Sequence, residues 1–354
     1  MNRIVIVSDA WFPQVNGVVR TLNETVERLR ARGYTVDLVT PDLFFTVPCP
    51  GYREIRLAVA PRTRVRRTLT AMRPDIVHIA TEGPLGWSAR GWCIANNMPF
   101  TTAFHTRFPD YAAARTRLSA ERFWPLMRRF HVPSSAVLVA THGLMAELNS
   151  RGILQTRLWS RGVDLNHFRS DQPPHPALAD LPRPVMLSVG RVAVEKNLEA
   201  FLSAELPGSK IVVGDGPMLT QMSRKYPDVL FLGKLGGTEL ASAYSAADVF
   251  VFPSRTDTFG LVMVEALACG VPVAGYPVAG PLDVVGLDGH GPNAVYAGKV
   301  GALDEDLSIA IEQSRACLAE DCLAAARLYD WENTVDQFVS ALTDALQYTS
   351  RKAA

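Results

Sequence analysis

The first 170 residues contain no lysine at all, although they carry 23 arginines. The chain is also poor in several features that would mark other protein classes. It has only five cysteines, Cys49, Cys93, Cys269, Cys317 and Cys322, and none forms a C-x-x-C pair. That spacing excludes a zinc-ribbon pattern, and an odd count argues against a disulfide framework. No run approaches the length of apolar sequence needed to span a bilayer. The start, "MNRIVIVSDAW", lacks the apolar stretch of a secretory signal and leads straight into a strand pattern, so a cytoplasmic chain is expected. No low-complexity tract or block of like charge points to disorder. No G-x-G-x-x-G follows a strand; "GDGPML" lacks the third glycine, which speaks against a dinucleotide-dependent oxidoreductase.

What is present is a repeated alternation of short β-branched runs and helical patterns. "RIVIVSD" (Arg3–Asp9), "TVDLVT" (Thr35–Thr40), "DIVHIA" (Asp75–Ala80), "PFTTAF" (Pro99–Phe104) and "AVLVA" (Ala136–Ala140) read as buried strands. A helix is predicted over Asn16–Arg32, ended by Gly33. The proline-rich stretch Arg169 to Pro184 interrupts the series. The pattern restarts with Val185–Gly190, Lys210–Gly214, Val229–Gly233, Asp248–Pro253 and Val271–Gly275. Continuous apolar strands separated by helices predict parallel sheets covered on both faces. Two doubly wound α/β domains are therefore expected: residues 1–168, a linker 169–184, and residues 185–330. A final helix over 331–354 carries Trp331, Val335, Phe338, Val339, Leu342 and Leu346 on one stripe and is predicted to pack back toward the first domain. Ligands of such sheets bind at the carboxyl ends of the strands, so a cleft between two such domains is the expected site.

The charge is unevenly placed. Residues 1–170 hold 23 Arg against 12 Asp plus Glu, a balance of +11, whereas residues 171–354 hold 13 Lys plus Arg against 23 acids, −10. Basic stretches lie at Arg62–Arg73, with Arg62, Arg66 and Arg67 off the Val65, Leu69, Met72 stripe, and at Arg107–Phe130. The latter mixes six arginines with Phe108, Tyr111, Phe123, Trp124 and Phe130. Basic faces with aromatic wedges suit an anionic membrane surface. A nucleic-acid partner is not expected, because no binding module accompanies the basic half.

The chemistry concentrates after the strands. "SRTDTFGLVMVEALACG" runs off a strand and opens a helix, whose free N–H groups and dipole suit a phosphate. Glu265 lies among Leu261, Val262, Val264, Ala266 and Leu267, where an ionised carboxylate requires a partner. Arg191 and Lys196, in "SVGRVAVEKNLEAFL", are bases at a helix start, where the dipole disfavours them. Gly17 in "QVNGVV" opens a helix after the first strand, and His105 and Glu82 each follow a strand of the first half. The residues show no metal-ligand cluster, so no metal and no cofactor beyond a co-substrate are expected.

These segments together resemble the retaining GT-B glycosyltransferases of family 4. The acid-x7-Glu pair Asp257 and Glu265 resembles that family's motif, and "VVGDGP", "GVPVAGYPVAGPLDVV", "RGVDLNHF", "WFPQVNGVVRTL" and "FHTRFPDY" match in order. The resemblance implies two Rossmann-like domains facing a central cleft. It implies a donor site of Gly17, Gly190, Arg191, Lys196, Gly214, Thr258, Phe259, Gly260, Leu261 and Glu265. Glu265 would take the ribose hydroxyls of a nucleoside-diphosphate sugar and Asp257 the transferred sugar. The family more often has Glu at the position of Asp257. His105, Arg191, Lys196 and Asp257 would serve catalysis, and Glu82, His105 and Arg107 the acceptor. The lipid-glycosylating and GDP-mannose-using branches look most similar. A peripheral enzyme on the inner membrane face is thus expected, moving hexose from UDP-glucose, UDP-glucuronate or GDP-mannose to a lipid such as diacylglycerol. A soluble transferase with a saccharide or small-molecule acceptor is the alternative.

Overall fold

A computed structural model describes residues 1–353 except Val15, Pro50, Gly51 and Arg117. It divides into two compact units. One comprises residues 1–140, 144–161 and 331–354, the other residues 141–143 and 162–330.

The first unit holds strands β1 (Arg3–Val7), β2 (Thr35–Val39), β3 (Thr46–Cys49), β4 (Tyr52–Ala58), β5 (Ile76–Ile79), β6 (Phe100–Ala103), β7 (Ala136–Val139) and β8 (Thr156–Leu158). Six of them form a parallel sheet in the order β2-β1-β5-β6-β7-β8, while β3 and β4 pair as an antiparallel hairpin. Its helices are α1 (Gly17–Ala31), α2 (Arg62–Met72), α3 (Pro84–Ala95), α4 (Phe108–Thr116), α5 (Trp124–His131) and α6 (His142–Ser150), the last of which starts in the second unit. The period of two in β1 sorts its side chains between two cores. Ile4 and Ile6 pack with Leu22, Val26 and Leu29 of α1 and with Val335, Phe338 and Leu342 of the helix Trp331–Ala353. Val5 and Val7 pack with Val65 and Leu69 of α2 and Leu85 and Ala89 of α3. The α1 helix starts where the Asn16 side chain accepts from the Val19 amide at 2.9 Å, and it stops before Gly33, whose φ is +87°.

The second unit repeats the plan with β9 (Val185–Val189), β10 (Ser209–Val213), β11 (Leu230–Gly233), β12 (Val249–Phe252), β13 (Val273–Gly275) and β14 (Gly301–Leu303), all parallel, in the order β11-β10-β9-β12-β13-β14. Helices α7 (Leu198–Leu202), α8 (Leu219–Lys225), α9 (Gly237–Ser245) and α10 (Leu261–Ala268) follow its strands. Met186, Val212, Val249, Val251 and Ala274 contribute to its core with Phe201 and Ile311. The hairpin and the short edge strands β8 and β14 were not anticipated from the sequence. In each sheet the chain builds outward from its first strand and then reverses. The reversal falls between β1 and β5 in the first unit and between β9 and β12 in the second. Such reversals leave a crevice at the carboxyl ends of the two strands.

Candidate active site

In the second unit the segments leaving β9 and β12 are pinned together. Ser254 and Thr256 donate side-chain hydrogen bonds to the Glu195 carbonyl at 3.3 Å each, and the Asn197 side-chain Nδ2 donates to the Pro253 carbonyl at 3.1 Å. The short turn Val194–Lys196 is thereby held against the loop after β12. As a result Lys196 and Asp257, 61 positions apart, meet: Nζ donates to both carboxylate oxygens at 2.7 and 2.8 Å. Their side chains remain 25% and 18% exposed, so the pair is open to a ligand. Arg191 follows β9 by two residues and is half-buried.

The loop after β10 crosses the loop after β9 at backbone distance. Val192 donates to the Asp215 carbonyl at 2.9 Å and Met218 to the Val192 carbonyl at 3.0 Å. A Cβ on Gly214 would lie 1.8 Å from the Gly190 carbonyl oxygen, so the crossing requires glycine. Gly190 itself faces open space. Gly260 precedes α10 at φ +100°, and a Cβ there would meet Met263 and Phe252 at 2.8 Å. Gly260, its N-cap residue, has no side chain with which to cap the helix. Its first amides and the positive end of its dipole lie beside Thr258, Phe259 and Leu261. Phe259 is buried edge-on against Tyr329, 5.7 Å between centroids. Glu265, 3% exposed, receives the Tyr244 hydroxyl at 2.9 Å, which supplies the partner its apolar neighbours cannot.

In the first unit the reversal is lined by acids. Asp9, two residues beyond β1, accepts the Leu85 amide at 2.9 Å, the Gly86 amide at 3.2 Å and the Thr81 hydroxyl at 3.0 Å. It caps α3, whose own N-cap is Gly83, from another strand. Burial pushes its pKa up to about 6, against the amide and hydroxyl bonds that pull it down. Glu82 pairs with His131 at 3.2 Å, and the other ring nitrogen of His131 meets the Thr102 hydroxyl at 2.9 Å. His105, just past β6, is buried, and Arg161 donates to its Nδ1 at 3.1 Å. Arg107 donates through both terminal nitrogens to Glu147, at 2.6 and 3.0 Å, and through Nε to Asp110 at 2.6 Å. Its fork is filled by these acids and ties α4 to α6. Gly17 opens α1 and is exposed; Val15 of the same segment lies outside the described residues.

Asp9, His131, Arg161 and Tyr244 were not singled out from the sequence. Asp9 ends the first strand run and Arg161 opens "RGVDLNHF", which are the signals that could have marked them. Among the described residues no group of three or more His, Cys, Asp or Glu could hold a metal ion.

The basic stretches differ in part from expectation. On α2, Val65 and Leu69 are fully buried while Arg62, Arg66 and Arg67 are exposed. Arg3, Arg66, Arg67 and Arg73, with Thr70 and Ala71, line an open groove of about 710 Å³. In Arg107–Phe130, however, Trp124 and Phe130 face the core and cannot wedge into a membrane, because packing against Phe104 and Trp87 claims them. Phe108 and Leu126 remain 40% exposed. Arg117 lies outside the described residues. No helix among the described residues is long and apolar enough to cross a membrane.

Two doubly wound α/β units, each with polar groups at a strand-order reversal, fit the GT-B architecture, and sequence comparison supplies the family. Residues 15–167 match the Glycosyltransferase Family 4 model and residues 183–313 the model of glycosyl transferases group 1. The GDP-mannose-dependent alpha-mannosyltransferase of Mycolicibacterium smegmatis is 31% identical over 80% of this chain and 82% of its own. The sulfoquinovosyl transferase SQD2 of Arabidopsis thaliana is 30% identical over 81% of this chain and 62% of its own. The alpha-monoglucosyldiacylglycerol synthase of Streptococcus pneumoniae is 26% identical over 77% and 70%. Sucrose-phosphate synthase of Thermosynechococcus elongatus shares the fold across both whole chains, with a TM-score of 0.73 at 22% identity. The chain belongs to glycosyltransferase family 4. It is a glycosyltransferase of the GT-B fold.

Proposed function

We propose that this enzyme moves a hexose, with retention of configuration, from a nucleoside-diphosphate sugar to a membrane lipid such as diacylglycerol. The observation that carries the donor half is the Lys196–Asp257 pair close before the glycine-led start of α10. Departure of a nucleoside diphosphate concentrates negative charge on its outer phosphate. Lys196 and Arg191, with the amides at Gly260 and Leu261, are cationic and dipolar groups suited to stabilise that charge. Asp257 then takes hydroxyls of the sugar, and Glu265, oriented by Tyr244, takes the ribose. Gly190 and Gly214 give the diphosphate a backbone approach free of side chains, and Thr258 and Phe259 border the sugar. In the first unit Glu82 and His105 are assigned to the acceptor side, and Gly17 to the donor phosphates.

A double displacement needs a nucleophile, and Asp257 is already held by Lys196. The reading is therefore a front-face transfer in which the leaving phosphate takes the acceptor hydroxyl's proton, with catalysis coming from position and field.

The lipid half is supported by the exposed arginines of α2, by Phe108 and Leu126, and by likeness to an alpha-monoglucosyldiacylglycerol synthase. Such an enzyme sits on the inner membrane face without spanning it. Each exposed base near an anionic bilayer is worth roughly 1 kcal/mol. The test offers UDP-glucose, UDP-glucuronate and GDP-mannose with detergent-dispersed diacylglycerol or with soluble saccharides. Glycolipid from one donor, retained in configuration, is expected. Product only on saccharides would replace the lipid reading with the soluble one.

A further inference from the structure

We infer that Arg161 is the positioning residue of His105, holding its imidazole as a neutral ring with the proton on Nε2. The two residues lie 56 positions apart and belong to the same unit. Arg161, 5% exposed, donates through Nη1 to the carbonyl oxygens of Trp159 at 2.6 Å and Ser160 at 2.9 Å, and through Nη2 to His105 Nδ1 at 3.1 Å. Its guanidinium lies 4.9 Å over the Trp159 ring, and that ring lies 5.3 Å from the imidazole. No carboxylate among the described residues pairs with Arg161.

A guanidinium has only donors. Nδ1 of His105 must therefore offer its lone pair, and a neutral ring then carries its hydrogen on Nε2. Burial pushes Arg161 down to about 9, which still leaves it charged at neutral pH. A second cation beside it is disfavoured. Burial first, then the charge of Arg161, then His78 hold His105 well below the ordinary histidine range. Among the described residues, Arg161 and His78 are titratable groups whose charge bears on the ring, and His78 is itself pushed down to about 3 by burial. His105 is thus a fixed N–H donor and not a general base. This fits a transfer in which the leaving phosphate takes the proton, and to that extent it rests on the proposed function. The tautomer itself does not.

The experiment uses the full chain labelled with ¹⁵N-histidine. Long-range ¹H–¹⁵N correlation spectra identify the tautomer, and the His105 signal is assigned by its loss in His105→Asn. The expected result is an Nε2–H ring that does not titrate from about pH 5 to about pH 9, where an ordinary histidine would change charge near 6.5. Arg161→Met should release the ring, giving tautomer exchange or titration within that range, and should lower kcat roughly tenfold with donor KM little changed. Arg161→Lys, also a pure donor, should restore the Nε2–H form. An Nδ1–H ring or an imidazolium in the unaltered protein overturns the inference, as does an unchanged tautomer in Arg161→Met. Should that variant fail to fold, the unaltered protein and Arg161→Lys still decide it. If the tautomer is as stated but His105→Asn keeps full activity, the Arg161–His105 arrangement stands and the role of His105 in transfer falls.

Discussion

The two strand reversals carry charge opposite to the halves of sequence that build them. The first half is strongly basic, yet the residues that leave β1 and β5 at its reversal include Asp9 and Glu82, tied to amides, a hydroxyl and His131. The second half is acidic, yet Arg191 and Lys196 follow β9 at its reversal, with Lys196 on Asp257. Net charge therefore describes the outer surface and says little about the sites. A buried or half-buried group is chosen by its partners, and the bulk charge is left to long-range effects such as attraction to a surface. The two reversals also differ in saturation. The carboxylate of Asp9 is occupied by three donors from its own chain and serves the fold. The Lys196–Asp257 pair stays partly exposed and can exchange partners with a ligand.

The largest effect should come from the buried carboxylate of the second unit, Glu265. Glu265→Ala removes a charged acceptor, and we predict loss of most activity with a rise in nucleotide Kd worth about 1.5–3 kcal/mol. Calorimetry with UDP, GDP and their sugars measures this; unchanged affinity would remove Glu265 from the ribose. Tyr244→Phe should give a smaller loss of the same kind, since it unties only one hydrogen bond to the carboxylate.

Next in size is the pair itself. Lys196→Ala should lower kcat more than it weakens donor binding, because its charge is needed most as the diphosphate leaves. Lys196→Ala and Asp257→Ala should be non-additive, with a coupling on the order of 1 kcal/mol in kcat/KM. Additive effects would mean that the ion pair is incidental.

In the first unit the effect should fall on stability. The raised pKa of Asp9 means that the folded state holds its proton more tightly than the unfolded chain. Its contribution is therefore most favourable below about pH 4 and is lost as pH rises through about 6. Asp9→Asn should flatten the pH dependence of urea unfolding between about pH 4 and pH 6. Asp9→Ala should cost about 1–3 kcal/mol, because two buried amides lose their acceptor. Identical pH profiles for Asp9→Asn and the unaltered protein would show that Asp9 is not the group responsible.

The smallest effect concerns the surface. Replacing Arg62, Arg66 and Arg67 by Ser should weaken flotation with anionic vesicles, leave slow donor hydrolysis intact, and matter less as salt shortens the Debye length to about 8 Å. Vesicle binding unaffected by these changes would take the membrane role away from α2.

The α/β plan was legible because buried parallel strands are continuous apolar runs, as in Ile4–Val7 and Val249–Phe252. The edge strands were not. Thr156–Leu158 and Gly301–Leu303 have three residues each and present no such run, since one of their sides lacks a neighbour. The motif segments placed Lys196 and Asp257 in one region of chemistry, but their direct pairing depends on the Ser254, Thr256 and Asn197 bonds, which no spacing rule encodes. Asp9 ends the first strand run, but that it caps α3, 76 positions on, is written in no local spacing. Periodicity showed that α2 has an apolar stripe. It could not show that Trp124 and Phe130 point inward, because an aromatic beside arginines reads alike on a core face and on a wet one.

The helix Trp331–Ala353 completes the core around Ile4 and Ile6 although more than 300 residues separate them. During synthesis at about 5–20 residues per second, the first unit's sheet is made well before the helix that covers one of its faces. That face stays open to chaperones, and to other nascent chains, until residues near Phe338 have emerged. A fragment ending at residue 161 would keep this exposure for good, so expressing the first unit alone should yield aggregate unless residues 331–346 are supplied with it.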